Sequence, residues 1–192
     1  MNRKEEIILA TLELASKSGL GNVSLQMIAD KVGIRKASLF NHFETKDDLI
    51  KQMYLYLRDA SSKQSMKELI DFDKDVEDIL YDNYLNYIKI CNNPHLLMFY
   101  KIIYSERCFN KDATEIMMEE THKMVASNIV LFKELEKRGK LKFNSVENSA
   151  LSYSLTMHGF VDYQMDCNVL GIDNNYDAKA FIDNFVLEHK GE

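Results

Sequence analysis

An all-α fold is what these 192 residues predict, with a small N-terminal helical unit followed by a larger helical body. One proline and seven glycines leave few obligatory breaks in helical backbone. Apolar residues recur at helical spacing, and no stretch alternates apolar with polar residues long enough to read as a sheet. The balance of 46% apolar and 28% charged residues belongs to a chain that buries a real core.

The elements follow in order. Ile7, Ala10, Thr11 and Leu14 fall at i, i+3, i+4 and i+7, with Ile8 and Ala15 widening the stripe, and Gly19 supplies the stop. Ser24 is a good N-cap for a second helix over Leu25 to Val32, with Leu25, Ile28, Ala29 and Val32 on its buried side. Gly33 permits a sharp turn, and a short helix follows with Leu39 and Phe43 as inward anchors. Thr45 with Asp48 is an Asp-variant capping box opening a fourth helix through Tyr54 and Leu57. Residues 61–73 are polar and weakly periodic, and read as a loop. Helices are expected again over Val76–Cys91, His95–Tyr104, Thr114–Lys137, Ser145–Met165 and Ala178–His189, with Asn92, Asn93 and Pro94 closing the first of these.

Charge separates the two parts. Residues 1–50 hold seven Lys/Arg and seven Asp/Glu, so the net −6 resides entirely in residues 51–192. Within the neutral end, VGIRKASLFNHF (Val32–Phe43) carries Arg35, Lys36 and His42 and no carboxylate. Two helices joined by a tight glycine turn form a helix-turn-helix, whose second helix can enter the DNA major groove. Such a helix is held rigid by its neighbours, and Lys36, Ala37, Ser38, Asn41 and His42 then project outward.

The run IILATLELASKSGLGNVSLQMIADKVGIRKASLFNHFETKDDLI (Ile7–Ile50) resembles the N-terminal domain of the TetR family of transcriptional regulators. Gly19, Ser24, Ile28, Ala29, Gly33, Ile34, Leu39, His42, Phe43, Lys46 and Leu49 fall where that family's pattern wants them. The resemblance implies an N-terminal three-helix helix-turn-helix DNA-binding domain, residues 1–48, and a larger C-terminal helical domain for effector (ligand) binding and dimerisation, residues 49–192. It assigns Ser24 and Gln26 to phosphate at the opening of the second helix, and Lys36, Ala37, Ser38 and Asn41 to base edges. His42 and Lys46 are assigned to phosphates, and Arg3 and Lys4 to an N-terminal arm. One departure stands out: Phe40 occupies a place where the family usually has Tyr, and without the hydroxyl its ring is expected to pack.

TetR-like proteins also hollow out the C-terminal body around a small effector. Tyr84, Tyr87, Phe99, Tyr100, Tyr104, Met117, Met124, Phe132, Met157 and Phe160 are the candidate lining, although such stripes usually are plain core. The helix Ser145–Met165 is apolar along more than one line and needs two partners. The family's four-helix dimer bundle puts Leu151, Leu155 and His158, with Phe181 and Phe185 of the last helix, at a candidate dimer interface.

Other classes are disfavoured. There is no G-x-S-x-G, no H-E-x-x-H, no phosphate-binding glycine loop and no paired carboxylates about a cleft, so an enzyme is not expected. His95, His122 and His158 with Cys91, Cys108 and Cys167 lack metal-ligand spacing, since Pro94 interrupts Cys91 and His95; no metal or other cofactor is expected. The charged start MNRKEE has no apolar signal core, and the densest apolar run, Leu96–Tyr104, is half a membrane span. The expectation is a cytoplasmic homodimer that binds a double-stranded DNA operator of near-palindromic sequence, acts as a repressor and answers an unknown small molecule. The rival reading is a helical protein–protein adaptor without DNA binding.

Overall fold

The computed structural model describes residues 2–64, 70–92 and 94–191. Nine α-helices are present among them, besides a 3-10 turn at Leu20–Asn22: α1 Arg3–Ser18, α2 Leu25–Val32, α3 Lys36–Leu39, α4 Lys46–Gln64, α5 Val76–Asn92, α6 Pro94–Glu106, α7 Lys111–Lys137, α8 Val146–Leu170 and α9 Ala178–His189. No strand occurs among the described residues, only an isolated antiparallel bridge between Leu141 and Lys190. No described helix is long and apolar enough to cross a membrane.

Several boundaries differ from the sequence expectation for local reasons. α4 continues through Ser61 to Gln64, where a loop was expected, because polar residues without Gly or Pro do not oblige a helix to stop. α7 begins at Lys111, three residues early, where the Asn110 side chain accepts the Ala113 N–H at 3.2 Å and acts as a cap. α8 extends past Met165 to Leu170 and ends at left-handed Gly171. Pro94 opens α6, a first-turn position that needs no N–H.

The chain divides into two compact units. Unit 1 comprises residues 1–66 and 94–119, and unit 2 comprises 67–93 and 120–192. In unit 1, α1 packs on α2, α4 and α6. Three partners require more than one apolar stripe, so Leu12 is buried beside Ile7, Ile8, Ala10, Thr11 and Ala15, whereas the expected Leu14 is only half-buried. In unit 2, α5 packs on α8 and α9 around Leu80, Phe132, Tyr153, Ile182 and Phe185. The Tyr153 hydroxyl donates to the Leu80 carbonyl at 3.1 Å, so the largest polar ring in that core is satisfied. Buried Asn128 likewise donates to Ser154 Oγ at 2.8 Å.

Candidate nucleic-acid interface

The turn between α2 and α3 is built from local chemistry. Ser24 Oγ accepts the Met27 N–H at 3.2 Å and starts α2. Gly33 ends it in the left-handed region, φ 72° and ψ 35°. Ile34 N–H then reaches back to the Ala29 carbonyl at 3.0 Å, and Gly33 N–H to that of Asp30 at 3.2 Å, the paired bonds of a Schellman stop. Any side chain at Gly33 would strain this backbone, because L-residues rarely adopt such a φ.

α3 is a single helical turn, too short to hold itself together. Its rigidity comes from Leu39 and Phe43, 2% and 3% exposed. The chain keeps helical spacing past Leu39, because Phe43 N–H and His42 N–H both donate to the Leu39 carbonyl at 3.0 Å. The Lys4 ammonium lies 5.4 Å from the centre of the Phe43 ring and 3.3 Å from Gln52 Oε1, fastening α1 and α4 around that anchor.

On the outer side Lys36, Ala37 and Asn41 are exposed, while Ser38 and His42 are half-buried. Lys46, half-buried at the start of α4, follows a cap in which Thr45 Oγ1 accepts the Asp48 N–H at 3.0 Å. The expected box is shifted by one residue: the Asp48 carboxylate accepts from Glu44 N–H at 3.1 Å. Ser24 and Gln26 are exposed at the opening of α2. The Ser24 hydroxyl keeps its proton to donate, whereas the Gln26 amide donates to Asp30 at 2.7 Å.

The charges of this region fall into two groups. Lys17 and Lys31 both bind Glu13, at 2.8 and 2.9 Å. Their hydrogen bonds, that from Lys17 first, lower the Glu13 carboxyl from 4.5 to about 2. Arg3 pairs with Glu6 at 2.6 Å; both Arg3 and Lys4 belong to α1 and not to a free arm. Arg35, Lys36 and Lys46 have no ion-pair partner among the described residues. Arg35 is absent from the sequence-based site, although its place beside Lys36 in a carboxylate-free stretch is the signal that marks it.

Phe40 corrects an expectation. Its ring does not pack; it is 51% exposed. Leu39 and Phe43 already occupy the inward positions, and Phe40, one residue on from Leu39, is turned about 100° around the helix axis from it.

The residues expected to line an effector site are distributed over both units. Tyr100, Tyr104 and Met117 lie in unit 1, with the Tyr100 and Tyr104 rings 5.9 Å apart. Tyr84, Tyr87, Met124, Phe132, Met157 and Phe160 lie in unit 2, and Phe99 lies outside the described side chains. Of these, Tyr84 also lines a surface groove of about 400 Å³ with Tyr81, Gln164, Asn174 and Tyr176. Among the interface candidates, Leu151 and Leu155 are 44% and 50% exposed on α8. His158 and Phe181 are half-buried, and Phe185 is buried in the core of its own chain against Phe132 and Tyr153.

A glycine-turned helix pair held in place by its neighbours is a helix-turn-helix, an arrangement that can set its second helix in a DNA groove. Residues 7–53 match the family described as bacterial regulatory proteins, tetR family. The fold extends over the whole chain. A protein of Mesorhizobium loti described as a TetR-family transcriptional regulator superposes with a TM-score of 0.66 at 18% identity, covering 99% of this chain and 100% of its own. A TetR-family protein of Vibrio parahaemolyticus gives 0.65 at 17%, covering all of both chains. Salmonella enterica GusR gives 0.65 at 16%, over 96% of this chain and 92% of its own. Residues 7–53 thus carry the N-terminal domain of that family, and the chain as a whole shares the fold of these solved regulators.

Proposed function

We propose that the chain is a ligand-responsive repressor that binds a near-palindromic operator as a homodimer. The observation that carries this reading is a set of cations, Arg35, Lys36 and Lys46, without an ion-pair partner among the described residues, on and beside a rigidly anchored turn of helix in an otherwise acidic protein. In this reading Lys36, Ala37, Ser38 and Asn41 face bases, and Ser24, Gln26, His42 and Lys46 contact phosphate. Residues 1–48 carry this task and residues 49–192 hold the effector and the dimer contact. The outer leucines of α8, Leu151 and Leu155, are the surface that a second copy covers, with His158 and Phe181 beside them. The two probes then address half-sites about 34 Å apart or a multiple of that. Effector bound within residues 49–192 changes their separation. A coupling of about 1–3 kcal/mol weakens operator binding roughly 5- to 150-fold.

The test is duplex selection from a random pool with the full chain, followed by titration at several salt concentrations. Log K should fall linearly with log salt, with a slope of about −0.9 per phosphate contacted, whereas a protein-binding adaptor has no such slope. Sedimentation should report a dimer, and Leu155→Glu a folded monomer that has lost operator affinity. A salt-independent or absent duplex interaction would remove this reading.

A further inference from the structure

Phe40 is the one feature of the probe surface that neither charge nor hydrogen bonding explains. It ends α3 in helical conformation, φ −72° and ψ −7°, and its N–H donates to the Ala37 carbonyl at 3.3 Å. Buried Leu39 on one side and Phe43 on the other fix where its Cα–Cβ bond points. Among the described residues no ring stacks on Phe40 and no cation lies over it. Ala37, three residues back and exposed, lies on the same side, so a methyl and a benzene ring form an apolar spot between Lys36 and Asn41.

An apolar spot in that position discriminates among the chemical features of a duplex. The ring offers phosphate no hydrogen bond, so pressing it against the backbone would desolvate an oxyanion without compensation. The polar groups of the base edges find nothing on the ring to pair with. The major groove carries a single apolar protrusion, the 5-methyl group of thymine, and burying that methyl against a ring removes apolar surface from water on both sides.

We propose that Phe40 reads a thymine methyl in each half-site, making it a specificity-determining residue. The proposal rests on the DNA-binding reading above and adds a base identity to it.

The experiment uses the full chain and the selected operator, with each thymidine replaced in turn by 2′-deoxyuridine, which deletes the methyl and nothing else. At one position per half-site the wild type should bind the uracil duplex about fourfold more weakly for each methyl removed. Phe40→Ala should bind the thymine and uracil duplexes equally at that position, with an unchanged melting midpoint because the side chain is exposed. Phe40→Tyr, which keeps the ring, should retain the discrimination. Equal wild-type binding to every uracil duplex, or the same ratio in Phe40→Ala, overturns the assignment to Phe40 while leaving salt-dependent duplex binding intact. A chain that selects no duplex overturns both readings together.

Discussion

The cations of α7 and those around α3 are the same residue types in opposite circumstances. On α7 every lysine has a carboxylate partner: Lys111 with Glu115, Lys123 with Glu120, Lys133 with Glu147 and Lys137 with Glu134, at 2.8 to 3.9 Å. Arg138 just beyond also binds Glu134, at 2.7 Å. Around α3, Arg35, Lys36 and Lys46 have no ion-pair partner among the described residues. Exposed pairs of this kind contribute only about 0–1 kcal/mol each to stability, so the contrast says little about folding. It concerns availability: a paired ammonium must break a contact to meet an outside anion, and an unpaired one is ready to meet it.

The contrast can be broken or sharpened, beginning with the largest effect. Leu39→Ala leaves every charge in place and removes the anchor beneath them. It should cost about 2–5 kcal/mol in urea unfolding and abolish operator binding as the probe loses its bearing. Lys36→Ala should cost about 1–3 kcal/mol of operator affinity and relax sequence preference in a gel-shift titration. Lys46→Ala should weaken all duplexes alike and flatten the log–log salt slope by about one per protomer. Glu13→Gln releases Lys31 and Lys17, converting a paired cation at the end of α2 into one of the α3 kind, so affinity for non-operator duplex should rise. The same change bears on pH. Because the Glu13 carboxyl is held at about 2, below its ordinary 4.5, its contribution is complete above the unfolded value and is lost as pH falls toward 2. The wild-type melting midpoint should therefore drop more steeply than that of Glu13→Gln between pH 4.5 and 2. Lys133→Ala, on the paired side, should alter duplex binding not at all and stability by no more than about 0.5 kcal/mol.

What was legible beforehand was chemistry confined to a few consecutive residues. The Ser24 cap, the Gly33 turn and the span of α2 depend on side chains within one helical turn, and they stand where the sequence puts them. The inward pair Leu39 and Phe43 was readable from spacing alone. Features set by partners distant in sequence were not. Leu12 looks like a break in the α1 stripe until α6 is known to pack on α1. Phe185 sits on a stripe that reads equally as interface or interior, and Phe132 of α7 with Tyr153 of α8 encloses it in the core. Phe40 differs for another reason: Leu39 and Phe43 fill both inward positions and leave its ring none to take. The ion pairs of Lys31 and Lys17 with one carboxylate, and hence the isolation of Arg35 and Lys36, needed the geometry of two helices.

The compact unit that holds the helix-turn-helix is discontinuous, since α6 and the first part of α7 belong to it while residues 67–93 do not. During synthesis, then, α1 to α4 leave the ribosome before α6, one of the partners of α1, has been made. The reading head is completed late, by a segment translated after an intervening piece of the other unit. A fragment cut at the end of α4 should accordingly behave as a loosened, protease-sensitive species, and a nascent chain should acquire its grip on DNA only once residue 119 has cleared the exit tunnel.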